Sequence, residues 1–191
     1  MTSLKLRTDE ELYRRIRNGD QESVAVLYER HREPLYRYAL HMSGNRSTAE
    51  EVTQEVFLRL IAPGGGFDDQ RGSLEAYLFG IARNLLRRMR PAMSLEQAPE
   101  QMAEPDALRD LLQDETTAAL YRAVQELPDA YREAVVLCDL DERSYEEAAR
   151  LMDCPVGTVR SRLYRARALL GAKLRKASGR ELAREQRDRL P

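Results

Sequence analysis

The segment RPAMSLEQAPEQMAEPD, residues 90 to 106, constrains this chain more than any other stretch. Pro91, Pro99 and Pro105 each remove a backbone donor and push the residue before them toward an extended conformation, so no continuous helix runs through it. On both sides the apolar spacing is helical. Val52, Val56 and Leu60, with Phe57 beside them, and Ala134, Val135 and Cys138 recur at three- and four-residue intervals. Alternating runs of Val, Ile and Thr that would signal strands are absent. The expectation is an all-α chain of two small helical domains, over residues 1–90 and 115–178, joined by a flexible acidic linker over 91–114 and followed by a charged tail over 179–191.

Charge follows the same division. The net charge of -1 conceals it: residues 91 to 127 carry 2 Lys+Arg against 8 Asp+Glu, whereas residues 155 to 180 hold eight basic side chains and no acidic one. The second patch is a local field suited to a polyanion. No apolar run approaches the ~20 residues that cross a bilayer, and MTSLKLRTDEELYRR at the start lacks the apolar core of a signal peptide, so a cytoplasmic location without membrane insertion is expected. Cys138 and Cys154 supply neither a disulfide framework nor the ligands of a structural zinc, and His31 and His41 lie far from them in sequence. Neither a metal nor another cofactor is expected; the cysteines read as buried packing, the histidines as incidental.

The basic patch has internal organisation. In RSYEEAARLMDC, Ser144 stands three residues before Glu147, a capping box that starts a helix at Tyr145. That helix is short. Asp153 tolerates a left-handed turn better than most non-glycine residues, and Pro155 suits the first turn of a second helix. Helix, tight turn, helix is the helix-turn-helix pattern. At 100° per residue Val156, Val159, Leu163, Ala166 and Leu170 share one face, and Gly157, Ser161, Tyr164 and Arg165 lie opposite, with Arg160 and Arg167 along one edge and Arg162 along the other. A major groove admits such a helix, its N-terminal side chains reaching base edges and its flanking cations the phosphates. Arg160, Ser161, Tyr164 and Arg165 are expected on bases, and Thr158, Arg162 and Arg167 on phosphates.

The run LPDAYREAVVLCDLDERSYEEAARLMDCPVGTVRSRLYRARALL, residues 127 to 170, resembles region 4 of the extracytoplasmic-function (group IV) sigma factors of the sigma-70 family. AEEVTQEVFLRL, residues 49 to 60, resembles that family's polymerase-binding helix in region 2, and GSLEAYLFGIARNLLRRMR, residues 72 to 90, its promoter-melting segment. The resemblance implies a transcription-initiation factor that binds core RNA polymerase, grips a duplex minus-35 element and holds the opened minus-10 element. Glu50, Glu51, Gln54 and Glu55 would dock on the clamp helices of the largest polymerase subunit. Region 4 would meet the flap region. FDDQRGS, residues 67 to 73, falls where the family captures a flipped minus-10 base, with Phe67, Asp69, Arg71 and Ser73 as working groups. Arg83, Asn84, Arg87 and Arg88 would contact the DNA backbone, and an anti-sigma protein is a possible regulator.

The chain also departs from the pattern. Tyr77 stands where relatives commonly have tryptophan, either as a stacking group or packed in the core. Gly80 replaces a usual basic residue, Asp153 a usual glycine, and Gly64 to Gly66 loosen the loop before the melting segment. Two other function classes remain open at this stage. A stand-alone helix-turn-helix regulator accounts for residues 127 to 176 but leaves the region 2 motifs idle. A carboxylate-metal enzyme built on Glu51 and Glu55 lacks the Glu-x-x-His pairs of helical di-metal sites. No Walker motif or nucleophile elbow occurs, so no catalytic residue is assigned.

Overall fold

Eight α-helices and no strand make up the described residues of the computed structural model, which are 4–63, 66–89 and 115–188, with side chains from 117 to 175 in the last stretch. In the first unit α1 (Asp9–Arg17) begins at a Thr8–Glu11 capping box, α2 (Gln21–Ser43) at Asp20, and α3 (Arg46–Ile61) at Asn45, whose side chain accepts from the Thr48 amide at 2.9 Å. Each cap satisfies amides that the first turn leaves without partners and contributes about 1 kcal/mol. A short 3-10 turn (Asp69–Arg71) leads into α4 (Leu74–Met89). The apolar stripes of these helices meet in one core, where Leu12, Leu27, Tyr38, Val52, Val56, Leu74 and Leu78 are buried.

α1 is fastened to α2 by a histidine that the sequence left without a role. His31 is buried with its Nε2 2.6 Å from Asp9 Oδ2, and Arg30 holds the other oxygen of that carboxylate. Burial pushes the Asp9 carboxyl up, but the bonds and charges of His31 and Arg30 outweigh it and leave the group below its ordinary value.

The second unit contains α5 (Glu115–Gln125), α6 (Asp129–Val135), α7 (Tyr145–Leu151) and α8 (Val156–Asp188). α6 runs on into a wider π-wound turn, Val136–Leu140, closed by the Asp141 amide on the Val136 carbonyl at 2.9 Å. Ala134, Leu137, Ala148, Leu151, Val159, Leu163, Ala166 and Leu170 form its core. Arg132, only 2% exposed, lies within it and donates to the carbonyls of Val124, Gln125 and Leu127. Those carbonyls end α5, so the buried guanidinium closes that helix from inside. The proposed linker over 91–114 lies outside the described residues. The helical backbone of α8 continues into the stretch read as a tail.

The two units touch. Arg132 reaches across to the Met42 carbonyl at 2.8 Å, and Gln125 donates to the His41 carbonyl at 2.6 Å. Gly44 ends α2 in a left-handed conformation, φ 70°, with the Gln125 side chain 3.2 Å from where a Cβ would stand. Tyr121 of α5 sits on His41 Nδ1. α4 lies against α7, where Arg143 pairs with Glu75 at 2.8 Å. Local sequence rules carry no information about these long-range pairings.

Candidate nucleic-acid interface

The helix-turn-helix forms as its residues dictate. Ser144 and Glu147 make the reciprocal capping box at the start of α7. Asp153 takes a left-handed φ of 49°, and the Cys154 amide reaches the Ala149 carbonyl at 3.1 Å. The Pro155 carbonyl then accepts from Thr158 at 2.8 Å, which starts α8. Val159, Leu163, Ala166 and Leu170 face inward, while Gly157, Arg160, Ser161, Tyr164, Arg165 and Arg167 are exposed. Tyr164 is 79% exposed, an unusual placement for a large aromatic with no core to fill.

The cations of this face differ in how free they are. Arg160 lies 5.8 Å from the centre of the Tyr145 ring, a cation-π distance. Arg165 contacts the Tyr131 hydroxyl at 3.5 Å and is otherwise in solvent. Arg167 is held in a two-pronged pair by Asp139, at 3.2 and 2.6 Å. Such an exposed pair is worth little and exchanges readily with a phosphate. Arg162 is only half exposed, lies 3.8 Å from Cys154 Sγ, and faces the space between the units instead of the open face. Tyr145, Arg160, Tyr164 and Arg167 line one shallow hollow beside α8. The sequence reading missed Tyr145, which it treated only as the first residue of a helix.

In the first unit the expected minus-10 groups separate into two kinds. Asp69, Arg71 and Ser73 are exposed, as are Asn84, Arg87 and Arg88 on α4. Ser73 also caps α4 by accepting from the Ala76 amide at 3.2 Å, and Asn84 accepts from Arg87. Phe67, however, is half-buried and packed against other aromatics. Its ring meets Tyr13 edge-on at 5.2 Å and Tyr77 at 5.6 Å, so three aromatics pin the loop to the core. Tyr77 is thereby placed with the core.

Arg83 departs furthest from expectation. Its Nε donates to Glu133 Oε1 of the second unit at 2.7 Å, and its Nη2 to the Leu151 carbonyl. Tyr38 donates to the same Glu133 oxygen at 2.8 Å. Burial works against charge on Arg83, yet the carboxylate beside it leaves its pKa above the ordinary value; burial and the same carboxylate raise that of Tyr38. As the structure stands, Arg83 is therefore not a free DNA-backbone cation, because an acid fifty positions further along the chain has taken its guanidinium edge.

On α3, Glu50, Glu51 and Gln54 are exposed, and Glu55 is half-buried and paired with Arg59 at 2.7 Å. At 100° per residue Leu58 and Ile61 fall on the same side as Glu51 and Gln54, and they are 50% and 45% exposed. An acidic edge with apolar residues beside it suits a protein partner better than water. The signal was in the sequence, since both residues lie off the stripe formed by Val52, Val56 and Leu60.

Cys138 and Cys154 are half-buried rather than fully packed. Burial, with Asp139 adding to it, pushes the Cys138 thiol up to about 11, and burial raises Cys154 as well. Neither is poised as a thiolate. No cluster of three or more His, Cys, Asp or Glu side chains able to hold a metal, and no helix long and apolar enough to cross a membrane, occurs among the described residues.

Comparison with known proteins finds a family match in each half. The family described as sigma-70 region 2 matches residues 27–91, and that described as sigma-70, region 4 matches residues 117–170. The extracytoplasmic-function sigma factor SigE of Mycolicibacterium smegmatis is 36% identical over 84% of this chain, which spans 66% of that relative's length. The sigma-E factor of Escherichia coli is 32% identical over 87% of this chain and 94% of its own. The RNA polymerase sigma-H factor of Pseudomonas aeruginosa is 31% identical over 83% and 90%. Among solved structures, CnrH bound to the cytosolic domain of CnrY is similar with a TM-score of 0.65 and 26% identity, covering 88% of this chain and 97% of that one. The sigma factor RpoE of Bartonella quintana, bound to the anti-sigma factor NepR, gives 0.55 and 25%, covering 78% and 94%.

Proposed function

This chain belongs to the extracytoplasmic-function sigma factors of the sigma-70 family, whose work is promoter-specific transcription initiation, and from that premise we propose how its surfaces divide the task. The observation that carries the reading is the coexistence of two unlike surfaces: the exposed cationic face of α8, and the acidic and apolar face of α3 in the other unit. A stand-alone helix-turn-helix regulator needs only the first. It is not favoured, because the region 2 match covers the second.

α8 enters the major groove of the minus-35 duplex. Arg160, Ser161, Tyr164 and Arg165 read bases; Thr158 and Arg167 hold phosphates, and Arg162 joins them once the space between the units opens. Glu50, Glu51, Gln54 and Glu55, with Leu58 and Ile61, dock on the clamp helices of core polymerase, where carboxylates meet arginines and the apolar pair supplies buried area. The 67–73 loop and the Asn84, Arg87 and Arg88 edge of α4 hold the single-stranded minus-10 element, with Asp69, Arg71 and Ser73 the groups that face it. Bond formation is left to the polymerase. The protein works in the cytoplasm. An anti-sigma protein is a natural partner, because the similar sigma factor RpoE is held by the anti-sigma factor NepR.

The test is in vitro transcription by purified core polymerase and the full chain on a promoter library. Initiation from a subset of templates with two shared elements is the expected result. Duplex binding without initiation would return the regulator reading.

A further inference from the structure

Beside the apolar contact that joins their cores, the boundary between the two units carries several groups that water solvates well. Arg83 and Tyr38 meet Glu133, Arg143 meets Glu75, Gln125 meets the His41 carbonyl, and Arg37 Nε lies 3.6 Å from Asp141. Buried ion pairs gain little over their hydrated parts, so such a boundary separates at lower cost than an apolar one of equal area. The cavity it encloses holds about 530 Å³, the volume of a small-molecule pocket, and Arg83 and Arg162 are both on its walls. Glu133, 6% exposed, places its carboxylate on the guanidinium edge that a phosphate would otherwise use.

We propose that Glu133, gripping Arg83 and Tyr38, is a latch by which the free chain holds itself closed, with the acid of one unit standing in for promoter phosphate on the other. The consequence for DNA rests on the promoter-binding reading above, whereas the closure itself does not. Opening is then a step separate from DNA binding. Any partner that requires separated units binds with its intrinsic affinity reduced by the fraction of chains that are open.

Energy transfer between dyes at Glu22→Cys and Glu146→Cys, in a full chain whose Cys138 and Cys154 are alanine, reads closure without polymerase or DNA. Both labelled positions are exposed, one on each unit. Glu133→Gln should shift the population to longer separation and raise apparent affinity for core polymerase by roughly 5- to 10-fold, as expected if the open fraction rises by that factor. The charge swap Arg83→Glu with Glu133→Arg should recover the short separation. Tyr38→Phe keeps the ring and removes one bond, so it decides the matter if Glu133→Gln loses helical circular dichroism; it should shift the same way by less. Wild-type separation in each variant that retains native helicity overturns the latch. A chain that opens as expected yet starts no RNA would instead overturn the promoter reading and leave the latch standing.

Discussion

Arg160 of the second helix in the helix-turn-helix lies over the ring of Tyr145, the first residue of the other helix, at 5.8 Å from its centre. The ring face limits where that guanidinium points, and a side chain already restrained loses less freedom on reaching a base. Tyr145→Ala should weaken minus-35 binding by roughly 3- to 10-fold and flatten the preference at the base Arg160 reads, whereas Tyr145→Phe, which keeps the ring, should retain both. Titrations on duplexes varied one base pair at a time measure the difference.

Arg165 and Arg167 divide the work differently. Arg165→Ala should relax preference at one position, at about 1–3 kcal/mol, while Arg167→Ala should weaken all sequences alike and lower the salt slope by about 1. Asp139→Asn removes the negative charge that holds Arg167 and should strengthen binding to every sequence. Equal loss of selectivity in Arg165→Ala and Arg167→Ala would refute this division.

Leu58 tests the α3 surface. Leu58→Asp places a charge where half the side chain already meets solvent, so folding should change by less than about 1 kcal/mol while affinity for core polymerase falls tenfold or more. Thermal melts and polymerase pull-down titrations separate the two effects.

His41 makes the docking of α5 sensitive to pH. Burial, with the Arg37 charge adding to it, lowers its pKa below the ordinary imidazole value of 6.5. The neutral ring is the one that accepts from the Tyr121 hydroxyl. A depressed folded pKa means that the unfolded chain binds the proton first, so the stabilisation is complete above about 6.5 and declines as pH falls through the folded value. The melting temperature of the wild type should drop between pH 7.5 and 5.5 by more than that of His41→Asn.

Gly80 is the simplest case. A Cβ there meets nothing within 4 Å, so Gly80→Ala should stabilise α4 by about 1 kcal/mol. Gly80→Lys should in addition raise the salt slope of minus-10 strand binding, if α4 carries that strand as proposed.

What the sequence disclosed follows the reach of its rules. The Ser144–Glu147 box, the Asp153 turn and the inward face of α8 depend on neighbours within four residues, and the structure holds them as read. Phe67 and Arg83 look like DNA-facing groups in any local reading. Their partners are Tyr13 and Glu133, and no spacing rule links them. Leu58 and Ile61 were legible as breaks in the apolar stripe, and His31 became structural only once α1 was seen to bring Asp9 to it.

Arg132 and Glu133 are adjacent in the chain, yet they bind in opposite senses. Arg132 donates to the Val124, Gln125 and Leu127 carbonyls of its own unit as well as to Met42, so pulling the halves apart leaves α5 and α6 tied. Glu133 has both its hydrogen-bond donors on the far side and loses them together. The molecule therefore has a plane of fracture that passes between consecutive residues, and force applied to its ends should part it there before either half begins to melt.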